Sequence, residues 1–190
     1  FPMIPLFLGL TLANLAVLGI TFGYGFGAVD SAGEATGAYN THLLLGVAAG
    51  MMATLTHVVV FTYFMATTKW LGAATDKAGV GDDRFLTAAL SRKRRAFFLA
   101  MSAVGLTMIT LFAGAGADPT MMNPLWPGEV HLMLAGAAIA ANLFVAFGEY
   151  ALIARQGRAS DEAAGLLNAT GADGTERPAA GKTNAAEHVA

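Results

Sequence analysis

The sequence predicts an all-α polytopic membrane protein of four transmembrane helices, arranged as two duplicated helical hairpins. Three observations carry that expectation. Of 190 residues, 55% are hydrophobic and only 13% charged, too little charge to cover a soluble domain. Four stretches free of Lys and Arg reach the roughly 20 apolar residues that a bilayer core demands. Finally, a shift of 89 positions (His42 onto His131) lays one half of the chain on the other.

The first span covers about residues 4–27. It is too long for the apolar core of a signal peptide and has no basic segment before it. A polar Gly/Ala loop leads to the second span, about 42–67. A long basic segment, 68–95, precedes the third, about 96–117. A Pro/Met-rich loop then opens the fourth, about 130–154. Residues 1–158 therefore read as the transmembrane domain, and 159–190 as a polar tail whose first ten residues suit a short helix and whose remainder reads as linker.

The charges orient the chain. Lys69, Lys77, Arg84, Arg92, Lys93, Arg94 and Arg95 lie between the second and third spans, and Arg155, Arg158, Arg177 and Lys182 follow the fourth. The other two loops hold Asp30, Glu34, Asp118 and Glu129 and no basic residue. The positive-inside rule places the basic segment, the tail and both termini in the cytoplasm. Tyr39 and Trp126 fall at the outer boundary, with Tyr63, Trp70 and Tyr150 near the inner one, as aromatic belts do.

At the shift of 89, His42-Leu43-Leu44-Leu45 falls on His131-Leu132-Met133-Leu134 and Ala48-Ala49 on Ala137-Ala138. Ile20-Thr21 falls on Ile109-Thr110, and Gly25, Gly27 and Ala28 on Gly114, Gly116 and Ala117. Repeats of the same orientation imply an approximate two-fold axis along the membrane normal. The second and fourth spans then face each other, with His42 and His131 at equal depth near the outer surface.

Below each histidine runs a stripe of small residues: Gly46, Ala49 and Ala53 on the second span, and Ala135, Ala138 and Asn142 on the fourth. Two readings follow. One is a flat cofactor between the helices, haem b with His42 and His131 as axial ligands and Gly46, Ala49, Ala135 and Ala138 lining its slot. The other is close packing of membrane helices through small side chains. The chain has no cysteine, which excludes disulfides, iron–sulfur ligation by thiolates and covalently attached haem.

His57 lies roughly 22 Å deeper than His42 along its helix, and the repeat does not explain it, because Ala146 is its mate. Glu149 reaches a similar depth on the fourth span. Ionisable groups inside a span are functional candidates, so His57 and Glu149 form a candidate proton, quinone-head or second metal site. The competing reading puts Glu149 at the cytoplasmic interface without a partner. Met101 sits at comparable depth as a ligand for an unusual His/Met site. Met121-Met122 beside His131 offer thioethers to copper, while the other methionines suit packing. Asn14, Thr11, Ser102, Thr107 and Thr110 suit hydrogen bonds to helices. The run Arg92-Lys93-Arg94-Arg95 reads as a topology determinant and anionic-lipid contact.

The pattern His57-Val-Val-Val-Phe-Thr-Tyr63-Phe-Met-Ala-Thr67-Thr-Lys-Trp70, then Lys93-Arg94-Arg95-Ala-Phe97, His131 and Glu149-Tyr150 resembles a family of bacterial four-helix membrane proteins. The resemblance spans about residues 40–155, implies no activity, and implies a bacterial inner-membrane location with His57, His131 and Glu149 in a shared pattern. The functional expectation is a membrane subunit of a larger energy-transducing complex, an electron-transfer or anchor subunit with haem b as candidate cofactor. The alternative is a cofactor-free accessory subunit that packs against partner membrane chains. No Walker, zinc-protease or dinucleotide motif is present, and nothing points to nucleic acid. With no folded soluble domain, catalysis by the chain alone is not expected. A small channel or transporter is disfavoured by the scarcity of intramembrane polar groups.

Overall fold

The computed structural model describes residues 3–79 and 84–175, with side chains through residue 170. Four α-helices run Met3–Gly25 (α1), Tyr39–Lys77 (α2), Arg84–Gly116 (α3) and Gly128–Thr175 (α4). Each is long and apolar enough to cross a bilayer. The protein is a polytopic, all-α membrane protein built as a four-helix bundle.

α1 and α3 make no contact with one another, and each packs against both α2 and α4, which touch along the middle of the bundle. The α2–α4 seam is therefore the core, with α1 and α3 on its flanks. Buried positions on α2 include Ala49, Ala53, Thr56, Val60, Phe64, Thr67 and Leu71. On α4 they include Ala138, Asn142, Val145, Glu149, Leu152, Gln156, Ser160 and Ala163. Steps alternating between three and four residues keep one stripe facing the partner over many turns, the pattern of a left-handed bundle. Large apolar side chains such as Leu44, Met51, Met133, Phe144 and Phe147 point outward, where lipid replaces water.

The helices outrun the apolar windows. Residues 68–77 continue α2, and α3 begins at Arg84, so the basic segment expected to be a loop is mostly helix. Hydropathy marks where hydrocarbon ends, and a helix need not stop there if it has something to pack on. Here Leu71, Ala89 and Ala163 form a buried cluster beyond the membrane-spanning windows. α4 likewise runs unbroken to Thr175, where a separate short helix was expected from 159. The linker expected after residue 168 is still helix as far as Thr175; its remainder, with Arg177 and Lys182, lies outside the described residues. α2 ends where Gly79 adopts the left-handed conformation (φ 65°), the usual helix-stopping residue.

Two short loops close the opposite end. Asp30 caps its own turn by accepting from the backbone N–H groups of Ala32 and Glu34. In the second loop the Trp126 indole donates to the Ala113 carbonyl at 2.7 Å, tying the entry of α4 to the exit of α3. Asp118 accepts from the backbone N–H and the hydroxyl of Thr120, and these bonds, with one from Tyr39, hold its carboxyl below the ordinary value.

Candidate functional site

Polar side chains are few in the spans, and the bundle gathers them into the seam. On α4, Asn142, Glu149 and Gln156 recur every seventh residue, two helical turns apart, so all three face the same way. With His131 they cover roughly 38 Å of helix, more than the roughly 30 Å of a hydrocarbon core. All of Asn142, Glu149 and Gln156 are buried, and each meets a polar partner from another helix.

His57 and Glu149 form the centre. They are 3% and 0% exposed, and the imidazole Nδ1 lies 3.0 and 3.1 Å from the two carboxyl oxygens. The two residues are in contact, and Glu149 is buried in the bundle with a partner. The other ring nitrogen, Nε2, faces Asn142 Oδ1 at 3.4 Å. Asn142 Nδ2 donates to the Ala138 carbonyl and to Thr107 Oγ1, which fixes its amide so that Oδ1 must accept. Oδ1 also accepts from Asn14 Nδ2 at 2.9 Å, bringing α1 into the network. His57 Nε2 is thus a donor.

That constraint leaves two arrangements of one proton. Either an imidazolium faces a carboxylate, or a protonated Glu149 donates to the Nδ1 of a neutral His57. Both are satisfied and both carry zero net charge. The two differ by the position of one proton along a single hydrogen bond.

Toward the basic end, Gln156 continues the seam. Its Nε2 donates to Thr67 Oγ1 at 3.0 Å, and its Oε1 accepts from Arg92 Nε at 2.7 Å. Arg92, read from sequence as a topology charge, turns inward. Gln156 was missed because it falls beyond the apolar window of the fourth span, and Asn142 was noted only as a position in the small-residue stripe. Their seven-residue spacing with Glu149 was the available signal.

At the opposite end, His42 and His131 meet edge to face with ring centroids 5.9 Å apart. His42 Nδ1 lies 2.9 Å from the Thr21 carbonyl and His131 Nδ1 3.1 Å from the Thr110 carbonyl. A carbonyl only accepts, so both Nδ1 atoms carry hydrogen and both Nε2 atoms hold a lone pair when the rings are neutral. Each ring lies on a glycine of the preceding helix. A Cβ on Gly25 would come 3.1 Å from His42 Cε1, and one on Gly114 2.9 Å from His131 Cε1. Below the pair, Ala49 and Ala138 are buried, while Gly46 and Ala135 are partly exposed.

Among the described residues no three His, Asp or Glu side chains gather as a metal cluster. Met101, Met121 and Met122 are exposed. Of the span hydroxyls, Thr107, Thr110 and Ser102 each donate to a carbonyl of their own helix, whereas the expected hydrogen bond of Thr11 is not made and its hydroxyl is buried without a partner. No family model, no curated protein and no solved structure matches the chain.

Proposed function

We propose that this chain is a membrane subunit of a larger energy-transducing assembly, and that its α2–α4 seam handles protons with His57–Glu149 as the exchangeable centre. The observation that carries the reading is the fully buried imidazole–carboxyl contact at 3.0 Å. Burying such a pair in a membrane is costly, and apolar side chains would fill the space more cheaply. The network through Asn142 and Asn14 on one side, and Gln156 with Thr67 and Arg92 on the other, supports a role in passing protons along the seam. The test is infrared difference spectroscopy of the purified protein, with the subunits that accompany it, across a pH jump. A carboxylic-acid band that responds to pH and vanishes in Glu149→Gln supports the proposal. A wild type without such a band over its whole stable range, together with full assembly activity in Glu149→Gln, sinks it.

A second reading concerns the other end of the seam. The two carbonyl bonds, which leave each neutral Nε2 with a free lone pair, favour His42 and His131 as a bis-imidazole site, with haem b the candidate. Second-sphere carbonyls of this kind orient metal-binding histidines. An iron content of zero and no Soret absorption in the protein purified from its membrane would remove this reading. The pair would then be a packing and hydrogen-bonding device of an accessory subunit.

Duplication belongs to the same proposal. The bonds His42–Thr21 and His131–Thr110 both span 21 residues, Thr21 and Thr110 both back-bond one turn up, and Gly25 and Gly114 both seat a ring. We further propose a bacterial inner-membrane location with the basic end cytoplasmic, in line with the resemblance to bacterial four-helix membrane proteins. The absence of native cysteine makes this easy to check: a single cysteine at Glu34 should react with an impermeant thiol reagent from the outside only.

A further inference from the structure

Thr68 Oγ1 aside, three hydrogen-bonding atoms at the basic end are buried without a partner: Arg92 Nη2, Tyr63 OH and Ser160 Oγ. They come from α3, α2 and α4, and the contacts around them bring them to one place. Arg92 Nε is held on Gln156 at 2.7 Å. Ser160 stands one turn further along α4 and is 0% exposed. The Tyr63 hydroxyl lies 3.9 Å from where a Cβ on Gly157 would stand, between those two positions, and Tyr63 and Arg92 are close enough to interact electrostatically. Arg92 has no carboxylate partner among the described residues. A surface cleft bordered by Arg84, Phe85, Ala88, Arg92, Ala159 and Glu162 reaches Arg92.

Each of the three atoms can donate, and buried donors left unpaired are rare in folded proteins. A guanidinium with one free nitrogen and two hydroxyls asks for a ligand that accepts several hydrogen bonds and carries negative charge. We infer that Arg92, Tyr63 and Ser160 form a binding site for a phosphate group at the basic end of the bundle. Tetrahedral oxyanions offer acceptors in the separate directions from which three helices approach. Lys93, Arg94 and Arg95 follow directly on α3 and concentrate anions at this level. Asp161 and Glu162 on α4 oppose them, Asp161 acting on Tyr63 and Glu162 at the cleft rim. Arg155 adds positive charge near Arg92. The phosphate comes either from an anionic lipid headgroup or from free phosphate in solution.

The experiment compares wild type with Tyr63→Phe/Ser160→Ala, a pair that keeps the Arg92–Gln156 bond and the packing. Native mass spectrometry after exchange into phosphatidylglycerol or phosphatidylcholine micelles reads lipid retention, and thermal unfolding with and without inorganic phosphate reads the free ion. A lipid source predicts retained phosphatidylglycerol in wild type, weakened about tenfold or more in the double variant. A free source predicts a phosphate-dependent rise in unfolding temperature that the double variant loses. Equal behaviour of the two proteins in both assays, with the double variant folded by circular dichroism, overturns the site; water alone then satisfies the three atoms. Arg92→Gln, which removes the charge and the Nη atoms together, should abolish either signal and serves as the second variant.

Discussion

Replacing Glu149 by leucine removes both oxygens that face His57 Nδ1. The imidazole then keeps its proton on Nε2, toward Asn142, and Nδ1 becomes a buried acceptor with no donor. Stranding one such group costs about 1–3 kcal/mol. His57→Leu is more severe, because a carboxyl group that is 0% exposed loses its partner, and breaking a buried pair from one side costs about 3–5 kcal/mol. The double variant His57→Leu/Glu149→Leu leaves neither group behind. Asn142 Oδ1 still accepts from Asn14, so the double should lie within about 1 kcal/mol of wild type. The singles together should therefore exceed the double by about 3 kcal/mol or more. Glu149→Gln behaves differently from all three: its amide can donate to Nδ1 as the protonated carboxyl does, and stability should fall by about 1 kcal/mol at most. Reversible unfolding in mixed micelles, followed by helical circular dichroism, measures all four proteins. A double variant as unstable as the sum of its singles refutes the claim that these residues act as a pair.

Gly114→Ala should displace the His131 ring from the Thr110 carbonyl, since the new Cβ would stand 2.9 Å from Cε1 and 3.2 Å from Nδ1. A loss of about 1–3 kcal/mol is expected, against no loss for Gly9→Ala, where nothing lies within 4 Å; thermal unfolding and the imidazole NMR signals read both. Gln156→Leu leaves Arg92 Nε and Thr67 Oγ1 without their partner and should destabilise the basic end by about 2 kcal/mol, seen as faster amide exchange in residues 84–92 than at the other end. Asp118 sets a pH dependence. Its folded pKa is depressed, so its contribution is present above the unfolded value of about 3.9 and is lost as pH falls through the folded one. Unfolding measured at pH 6 and below pH 4 should show a small acid loss that Asp118→Asn removes.

How much of this was legible in the sequence depends on which physical signal each element leaves. Spans are visible because lipid imposes a length and a composition, and each of the four expected spans falls on one of the four helices long and apolar enough to cross a bilayer. Helix ends were not, because Leu71, Ala89 and Ala163 meet only in three dimensions and nothing in a hydropathy window reports a packing partner. His57 and Glu149 could be paired from depth alone, since two helices crossing the same bilayer bring equal depths together. Asn142 and Gln156 needed the seam to be known first, as a polar residue on α4 matters only if that face is buried. Arg92 was hidden by its neighbours: in a run of four basic residues, the one that turns inward looks like the rest.

α4 is a single helix of 48 residues, roughly 72 Å long, and Glu149 sits inside its membrane portion with some 25 residues beyond it. A helix of that length behaves as a stiff rod. A tilt of about 5° pivoting at Glu149 would carry Thr170, roughly 31 Å further along the axis, sideways by about 3 Å. A rearrangement around the buried carboxyl that tilts α4 would thereby appear as a larger displacement at the far end of the helix.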